Sequence, residues 1–264
     1  MEGCEMSYTV SDLLLAGSLM FGMLIFLEVG RRIGIWQIAR DPDGSRTGLA
    51  VIDSAVFGLL GLIIAFTFSG AMSRLDARRQ LIIEETNAIG TAYLRLHLLP
   101  ASAQPGMRDK FRRYVDSRLA VYQKFPDIAA AKAELAKSNM LQEEIWQQAV
   151  RASRAGDAHP DAGKLLLPAL NEMIDITTMR TMATQMHPPT ILFVLLFGLS
   201  FGSALLAGYG TAGGKYRSWL HGLCFCVAIA VGVYVILDIE YPRFGAIRVD
   251  AFDQALRDLR DSMK

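Results

Sequence analysis

The sequence predicts an all-α membrane protein with four transmembrane helices and a helical extramembrane domain inserted between the second and the third. Two observations carry this prediction. The chain of 264 residues is 52% hydrophobic, and its apolar residues are concentrated in a few long stretches. Between these stretches, the polar segments lack the alternation of polar and apolar residues that is typical of strands.

Four apolar stretches are each long enough to cross a bilayer, which takes about twenty residues in an α-helix. Helices of a soluble protein keep a polar face, and these stretches have almost none. We therefore interpret them as transmembrane spans and not as the core of a soluble domain. The spans are approximately Leu13–Val29, Ala50–Met72, Thr190–Tyr209 and Trp219–Ile239.

The spans divide the chain into four expected regions. These are a first transmembrane pair (1–72), a helical extramembrane domain (73–188), a second transmembrane pair (189–240) and a C-terminal tail helix (241–264). Within the domain, Pro100, Pro126 and the loop 156–163 separate four predicted helices. The first of them continues the second span without interruption, and Asp127 is the expected N-cap of the third.

The second span has two distinct faces when its residues are placed at about 100° intervals. The bulky face carries an acid at one end, and it predicts either a hydrophobic constriction of a pore or a surface packed on lipid or core. It consists of Asp53, Phe57, Leu60, Ile64 and Phe68. The neighbouring small-residue face predicts a close helix–helix contact, with a wide pore wall as the alternative. It consists of Ser54, Gly58, Gly61, Ala65 and Ser69.

Further packing and charged positions follow from spacing. Gly198 and Gly202 form a GxxxG pattern in the third span, which predicts helix packing. Asp53 is either an acid favoured by the helix N-terminus or an ion-binding carboxylate at a pore mouth. Glu28 is expected to pair with the arginines three and four residues later. Glu84 and Glu85 favour a solvated or inter-helix role over acid–base chemistry.

The sequence contains no pattern that indicates an enzyme. It has no nucleophile elbow, Walker loop, HExxH or GxGxxG motif, and its four histidines have no metal-ligand spacing. We therefore expect no catalytic residues, no metal site and no cofactor. The net charge of +1 gives no reason to expect a nucleic-acid partner.

Two segments add a family resemblance to this layout. They are RRQLIIEETNAIGTAYLRL (Arg78–Leu96), after the second span, and DIEYPRFGAIRVD (Asp238–Asp250), after the fourth. The chain resembles the bacterial membrane proteins that have a bestrophin-like domain and, in layout, the bestrophin channels. In bestrophins, the second helices of five subunits line an anion pore with a hydrophobic neck. The resemblance thus implies a homo-oligomer, with five subunits as the candidate number. Its implied partners are the lipid bilayer and inorganic ions.

The resemblance also bears on location and on calcium. It implies a multi-pass protein of the inner membrane with the helical domain and both termini in the cytoplasm. The basic residues that follow the first span argue for the opposite orientation. Bestrophins carry a calcium clasp of clustered acids after the fourth span. The acids of this chain are sparser, namely Asp238, Glu240, Asp250 and Asp253.

The expected function is passive ion flow along the second transmembrane helix of a channel-like homo-oligomer, gated by the helical domain. The alternative is a non-conducting membrane scaffold or sensor that binds a partner through the helical domain. The two hypotheses differ in whether the purified protein conducts ions.

Overall fold

A computed structural model describes residues 2–40, 49–125, 127–213, 219–243 and 245–263. All regular structure in these ranges is helical, which confirms the predicted all-α fold. Short 3-10 helices lie at Arg95–Leu98, Thr211–Gly213 and Asp250–Phe252. The α-helices are α1 (Glu2–Arg40), α2 (Leu49–Leu94), α3 (Gln104–Gln123), α4 (Ile128–Ala152), α5 (Ala162–Ala183), α6 (Thr190–Gly210), α7 (Trp219–Glu240) and α8 (Asp253–Ser262).

Four of these helices are long and apolar enough to cross a membrane, which confirms the four predicted spans. They are α1, α2, α6 and α7. Large apolar side chains remain exposed on their outer surfaces, including Phe21, Phe66 and Ile191. Such surfaces are expected where lipid, and not water, surrounds the helix.

The chain forms two compact units. The first contains Met1–Ser73 and His187–Ile247, and the second contains Arg74–Met186 and Arg248–Lys264. Helix α2 is one continuous helix whose residues contribute to both units. The C-terminal helix α8 belongs to the second unit.

The first unit has an apolar core, and one of its helix pairs packs at backbone contact. An ideal Cβ atom added at Gly30 of α1 would overlap the carbonyl oxygen of Leu205, and one at Gly208 of α6 would overlap that of Leu27. Only glycine permits such an approach of two helices. The buried core residues are Leu19, Met23, Leu60, Leu196, Ala204, Cys226, Val233 and Leu237.

The second unit has its own core, built from the second half of α2 and from α3, α4, α5 and α8. Asp127 caps α4 as expected, because its carboxylate accepts a hydrogen bond of 2.9 Å from the amide of Ala130. Leu256 of α8 is fully buried in this core. Other buried members include Ile89, Leu96, Phe111, Tyr114, Ile145, Leu166 and Met173.

The two ends of the four-span unit are defined by where its helices begin and end. At the loop end, α1 and α6 finish and α2 and α7 begin. At the other end, α6 begins and α7 finishes at Glu240.

Candidate functional site

One side of the transmembrane part of α2 is covered by helices of the same chain. Leu60 is only 2% exposed and belongs to the core of the first unit, and Ile64 packs against that core. Phe57 is half-buried and meets Phe225 of α7 edge-on, with 5.9 Å between the ring centroids. Much of the predicted bulky face therefore packs within the protomer.

The other side of α2 is uncovered in the single chain. Every member of the small-residue face is exposed: Ser54, Gly58, Gly61, Ala65 and Ser69. An ideal Cβ added at either of its glycines meets no described atom outside α2 within 4 Å. Phe68 of the bulky face is 41% exposed and lies at one edge of this uncovered side.

The opposite edge of the uncovered side carries large apolar side chains that sequence reasoning did not single out. Leu62 and Phe66 lie one turn apart, and Phe66 is 66% exposed. In the sequence, these two residues cannot be distinguished from the other bulky apolar residues of the same helix. Their exposure depends on which side of α2 the other helices cover, and the sequence does not state this.

Asp53 lies at the loop end of the four-span unit, half-buried beside the last turn of α6. Its Oδ2 atom is 4.0 Å from an ideal Cβ position at Gly210. The carboxylate is thus near the end of a span, where the cost of a charge in the membrane is lower than at its centre. Its role at a pore mouth stays a prediction.

The predicted roles of the other α2 residues and of the third-span glycines also stay predictions. An ideal Cβ at Gly198 or Gly202 meets nothing beyond α6 within 4 Å in the part of the chain that the structure describes. Within the protomer, close packing of α6 instead involves Gly208. A contact through the GxxxG pattern would therefore require a second copy of the chain.

The acids at the ends of the spans bond within the first unit. Glu28 contacts Arg32 at 3.1 Å and Arg31 at 3.8 Å, as predicted. Asp238 is buried at the end of α7, where its two carboxylate oxygens accept bonds of 2.8 Å from the amides of Ala246 and Ile247. These bonds fix the chain that follows α7.

Glu240 is also buried, and its neighbour is a histidine. Its Oε2 atom lies 3.7 Å from Nδ1 of His187, whose ring stacks on Tyr241 with 4.8 Å between centroids. Among the residues whose side chains are described, no group of three or more histidines, cysteines or acids is arranged to hold a metal ion.

The second unit contains a buried ionic network. Glu85 of α2 accepts a hydrogen bond of 2.6 Å from Arg118 of α3 and another from Arg180 of α5. Arg180 also donates to Asp253 of α8 at 2.8 Å. The sequence favoured a solvated or inter-helix role for Glu85, and the inter-helix role is the one observed.

Glu85 and the two arginines of this network are stabilised in their charged forms. Burial disfavours a charged guanidinium, but the neighbouring Tyr122 and Glu85 outweigh burial, and the pKa of Arg118 is raised. The Arg180 guanidinium lies over the ring of Tyr122, 3.8 Å from its centroid. Two arginines and two acids share one buried site and neutralise each other.

A second buried polar cluster lies in the same unit. The hydroxyl groups of Tyr114 and Thr177 are 2.9 Å apart, and Gln142 donates to both. Burial raises the pKa of Tyr114 to about 12, so its hydroxyl stays neutral. Because the polar atoms of this cluster bond to each other, it links α3, α4 and α5 without an obvious reactive group.

The class of protein follows from the spans and the inserted unit: an all-α membrane protein with four spans and a helical unit between the second and the third. The Bestrophin-like domain matches residues 37–251, so the chain belongs to the Bestrophin-like family. No curated protein sequence matches the chain.

Solved structures of a bacterial bestrophin homolog from Klebsiella pneumoniae share the fold. The crystal structure of one point variant has a TM-score of 0.67 at 17% sequence identity and covers 91% of this chain and 98% of that one. A structure phased with zinc has a TM-score of 0.64 at 16% identity and covers 91% of this chain and 98% of that one. At this identity, the likeness concerns the fold alone.

Proposed function

We propose that the protein forms a homo-oligomeric channel in which ions flow passively along α2. Membership in the Bestrophin-like family supports the channel class. The observation that carries the proposal is the uncovered side of α2, which bears a stripe of small residues in the single chain. Small residues let neighbouring transmembrane helices approach closely, so this side suits contact among copies of α2 around a common axis.

The two edges of the uncovered side have different parts in this proposal. Phe68 faces the ions in a narrow apolar section, and Asp53 places an acid near the loop end, while Phe57 is half-buried beside Phe225 of α7. Ions cross such a section only when it widens or becomes wet. Leu60 and Ile64 support the helix from behind, since they pack on the protomer's own core.

The test is ion flux into liposomes that contain the purified oligomer, measured for chloride and for potassium. We expect Phe68→Ala to raise basal flux, because a smaller side chain leaves room for water in the narrow section. Asp53→Asn should change the ratio of chloride to potassium flux and leave the total flux similar, because it removes a charge without changing the width.

Phe66→Ala is the matched control, since it removes the same atoms from the opposite edge of the uncovered side. Flux that rises with Phe66→Ala and not with Phe68→Ala would place the pore at the other edge. If a confirmed oligomer passes neither ion, the conduction proposal is overturned and the scaffold or sensor function replaces it.

We propose further that the protein resides in a bacterial inner membrane with the second unit in the cytoplasm. The family resemblance supports this orientation, and the basic residues after the first span oppose it. Because four is an even number of spans, both termini would lie on the same side as the second unit. Labelling of single cysteines placed on the two sides of the membrane tests this orientation.

A further inference from the structure

A groove opens on the outer surface of the four-span unit at its loop end. It has a volume of about 880 Å³ and lies among α1, α6 and α7. This volume falls within the range of sites that hold small organic molecules. On α1 the groove extends from Leu24 to Arg32, or roughly 12 Å along the helix axis at ~1.5 Å per residue.

The chemistry of the groove changes along its length. The deeper part is lined by apolar side chains, among them Leu24, Leu27, Leu223 and Phe225. The part at the loop end is lined by charged and polar residues and by a tryptophan: Glu28, Arg31, Arg32, Thr211, Trp219 and His221. One end is therefore suited to hydrocarbon and the other to the polar region of a bilayer, where tryptophan is enriched.

The charged end has a net positive charge. Among the described residues that line the groove, Arg31 and Arg32 both contact the single carboxylate of Glu28, so these three side chains together carry one positive charge. Arg32 keeps most of its side chain exposed, at 78%. A guanidinium that already bonds a carboxylate still has further N–H groups, and these can donate to phosphate oxygens.

A small residue lies where two of the lining helices meet. Gly222 of α7 lines the groove, and an ideal Cβ at this position would lie only 3.1 Å from Cδ1 of Leu27 on α1. A large side chain at Gly222 would therefore have to displace Leu27 or occupy the groove. Gly232 lies ten residues later on the same helix and has no atom within 4 Å of an ideal Cβ.

We propose that this groove binds one anionic phospholipid per protomer, with an acyl chain along its apolar part and the phosphate at Arg31 and Arg32. The groove lies along three of the four spans, and its polarity matches that of a phospholipid. The positive end favours an anionic headgroup, since each basic residue near a membrane surface contributes about fivefold to the binding of an anionic lipid. The proposal does not depend on ion conduction.

The experiment is native mass spectrometry of the purified oligomer with phosphatidylglycerol and phosphatidylcholine of identical acyl chains. We expect the wild type to bind one phosphatidylglycerol per protomer, and to bind it several-fold more tightly than phosphatidylcholine. Gly222→Phe should lose both lipids, because the ring fills the groove. Gly232→Phe, the matched control on the same helix, should bind both as the wild type does.

Charge variants test the headgroup separately from the groove. Arg31→Gln with Arg32→Gln should keep phosphatidylcholine binding and lose the preference for phosphatidylglycerol. Glu28→Gln should strengthen that preference, because it raises the positive charge at the same end. The two changes have opposite signs, which a general loss of folding would not produce.

Three results of the lipid-binding measurements, and one on the oligomer, would overturn the proposal. The three binding results are a wild type that binds neither lipid, a folded Gly222→Phe variant that binds both as before, and a phosphatidylglycerol preference that survives removal of both arginines. If Gly222→Phe does not fold, Ala207→Phe fills the same groove from α6 and replaces it. If Gly222→Phe breaks the oligomer into monomers, a second copy of the chain, and not lipid, covers the groove.

Discussion

Glu85 shows how a single residue can hold four helices together. Its carboxylate on α2 bonds arginines on α3 and α5, and the second of these arginines reaches Asp253 on α8. A buried ion pair contributes little net stability compared with apolar residues of the same shape. Removing one partner is different, because it leaves a charge buried without compensation.

We therefore predict that Glu85→Gln strongly destabilises the protein. The substitution leaves two buried guanidinium groups with one carboxylate, and breaking a buried pair typically costs about 3–5 kcal/mol. For a protein of this size, we expect the melting temperature to fall by about 10 °C. Thermal unfolding of the detergent-solubilised protein measures this change.

Glu84→Gln is the matched control for this prediction. Glu84 is the adjacent residue of α2, it is only half-buried, and its carboxylate accepts a hydrogen bond from Gln80, one turn earlier on the same helix. Its substitution should leave the melting temperature close to that of the wild type. Equal melting temperatures for both variants would show that the network does not contribute to stability in this way.

The same two residues show what the sequence could predict at this scale. Adjacent glutamates on a charged helix look alike in the sequence. Only one of them faces the arginines, which lie 33 and 95 residues further along the chain. Local periodicity cannot identify partners that the fold brings together from such distances.

At the scale of elements, the contact between α1 and α6 depends on glycine. A Cβ at Gly30 would overlap the carbonyl oxygen of Leu205, which is backbone and cannot move aside by a rotamer change. We predict that Gly30→Ala forces the two helices apart and lowers both the yield of folded protein and its melting temperature. Size-exclusion chromatography and thermal unfolding in detergent measure the two effects.

Gly232→Ala provides the comparison for this prediction. Gly232 lies on α7 of the same unit, and an ideal Cβ there meets no described atom outside its own helix within 4 Å. This variant should fold and melt like the wild type. A Gly30→Ala protein as stable as this control would contradict the close contact between α1 and α6.

Element boundaries were more predictable than element contacts. Proline at position 100 and the capping carboxylate of Asp127 act locally, so the sequence placed the end of the α2 region and the start of α4 within a few residues. The GxxxG spacing of Gly198 and Gly202 identified a small-residue surface, but the tight packing within the protomer is at Gly30 and Gly208. The spacing of small residues shows where a helix can be packed closely. It does not show which other helix packs there.

At the scale of the whole molecule, the sequence predicted the four spans and the inserted helical region because apolar length is a strong signal. It could not predict which side of α2 is covered. Leu60 and Phe66 are equivalent apolar residues of one span, yet the first is buried in the protomer and the second is exposed. That difference arises from the arrangement of α1, α6 and α7. The sequence of one span does not determine this arrangement.

The orientation of the chain in the membrane can be tested directly by labelling single cysteines. The segment 74–186 contains no cysteine, so one introduced there reports its side of the membrane. Asp157→Cys places a thiol on an exposed loop residue, in a background whose native cysteines are replaced by alanine. If the second unit is cytoplasmic, an impermeant thiol reagent should label this cysteine only after the inner membrane is disrupted.

Thr211→Cys supplies the opposite case in the same background, because Thr211 is exposed at the loop end, after the third span. One span separates positions 157 and 211, so the two thiols must lie on opposite sides of the membrane. We therefore expect Thr211→Cys to be labelled in cells whose outer membrane alone is permeabilised, while Asp157→Cys is protected. The reverse pattern would mean that the basic residues after the first span determine the orientation, and that the second unit faces the periplasm.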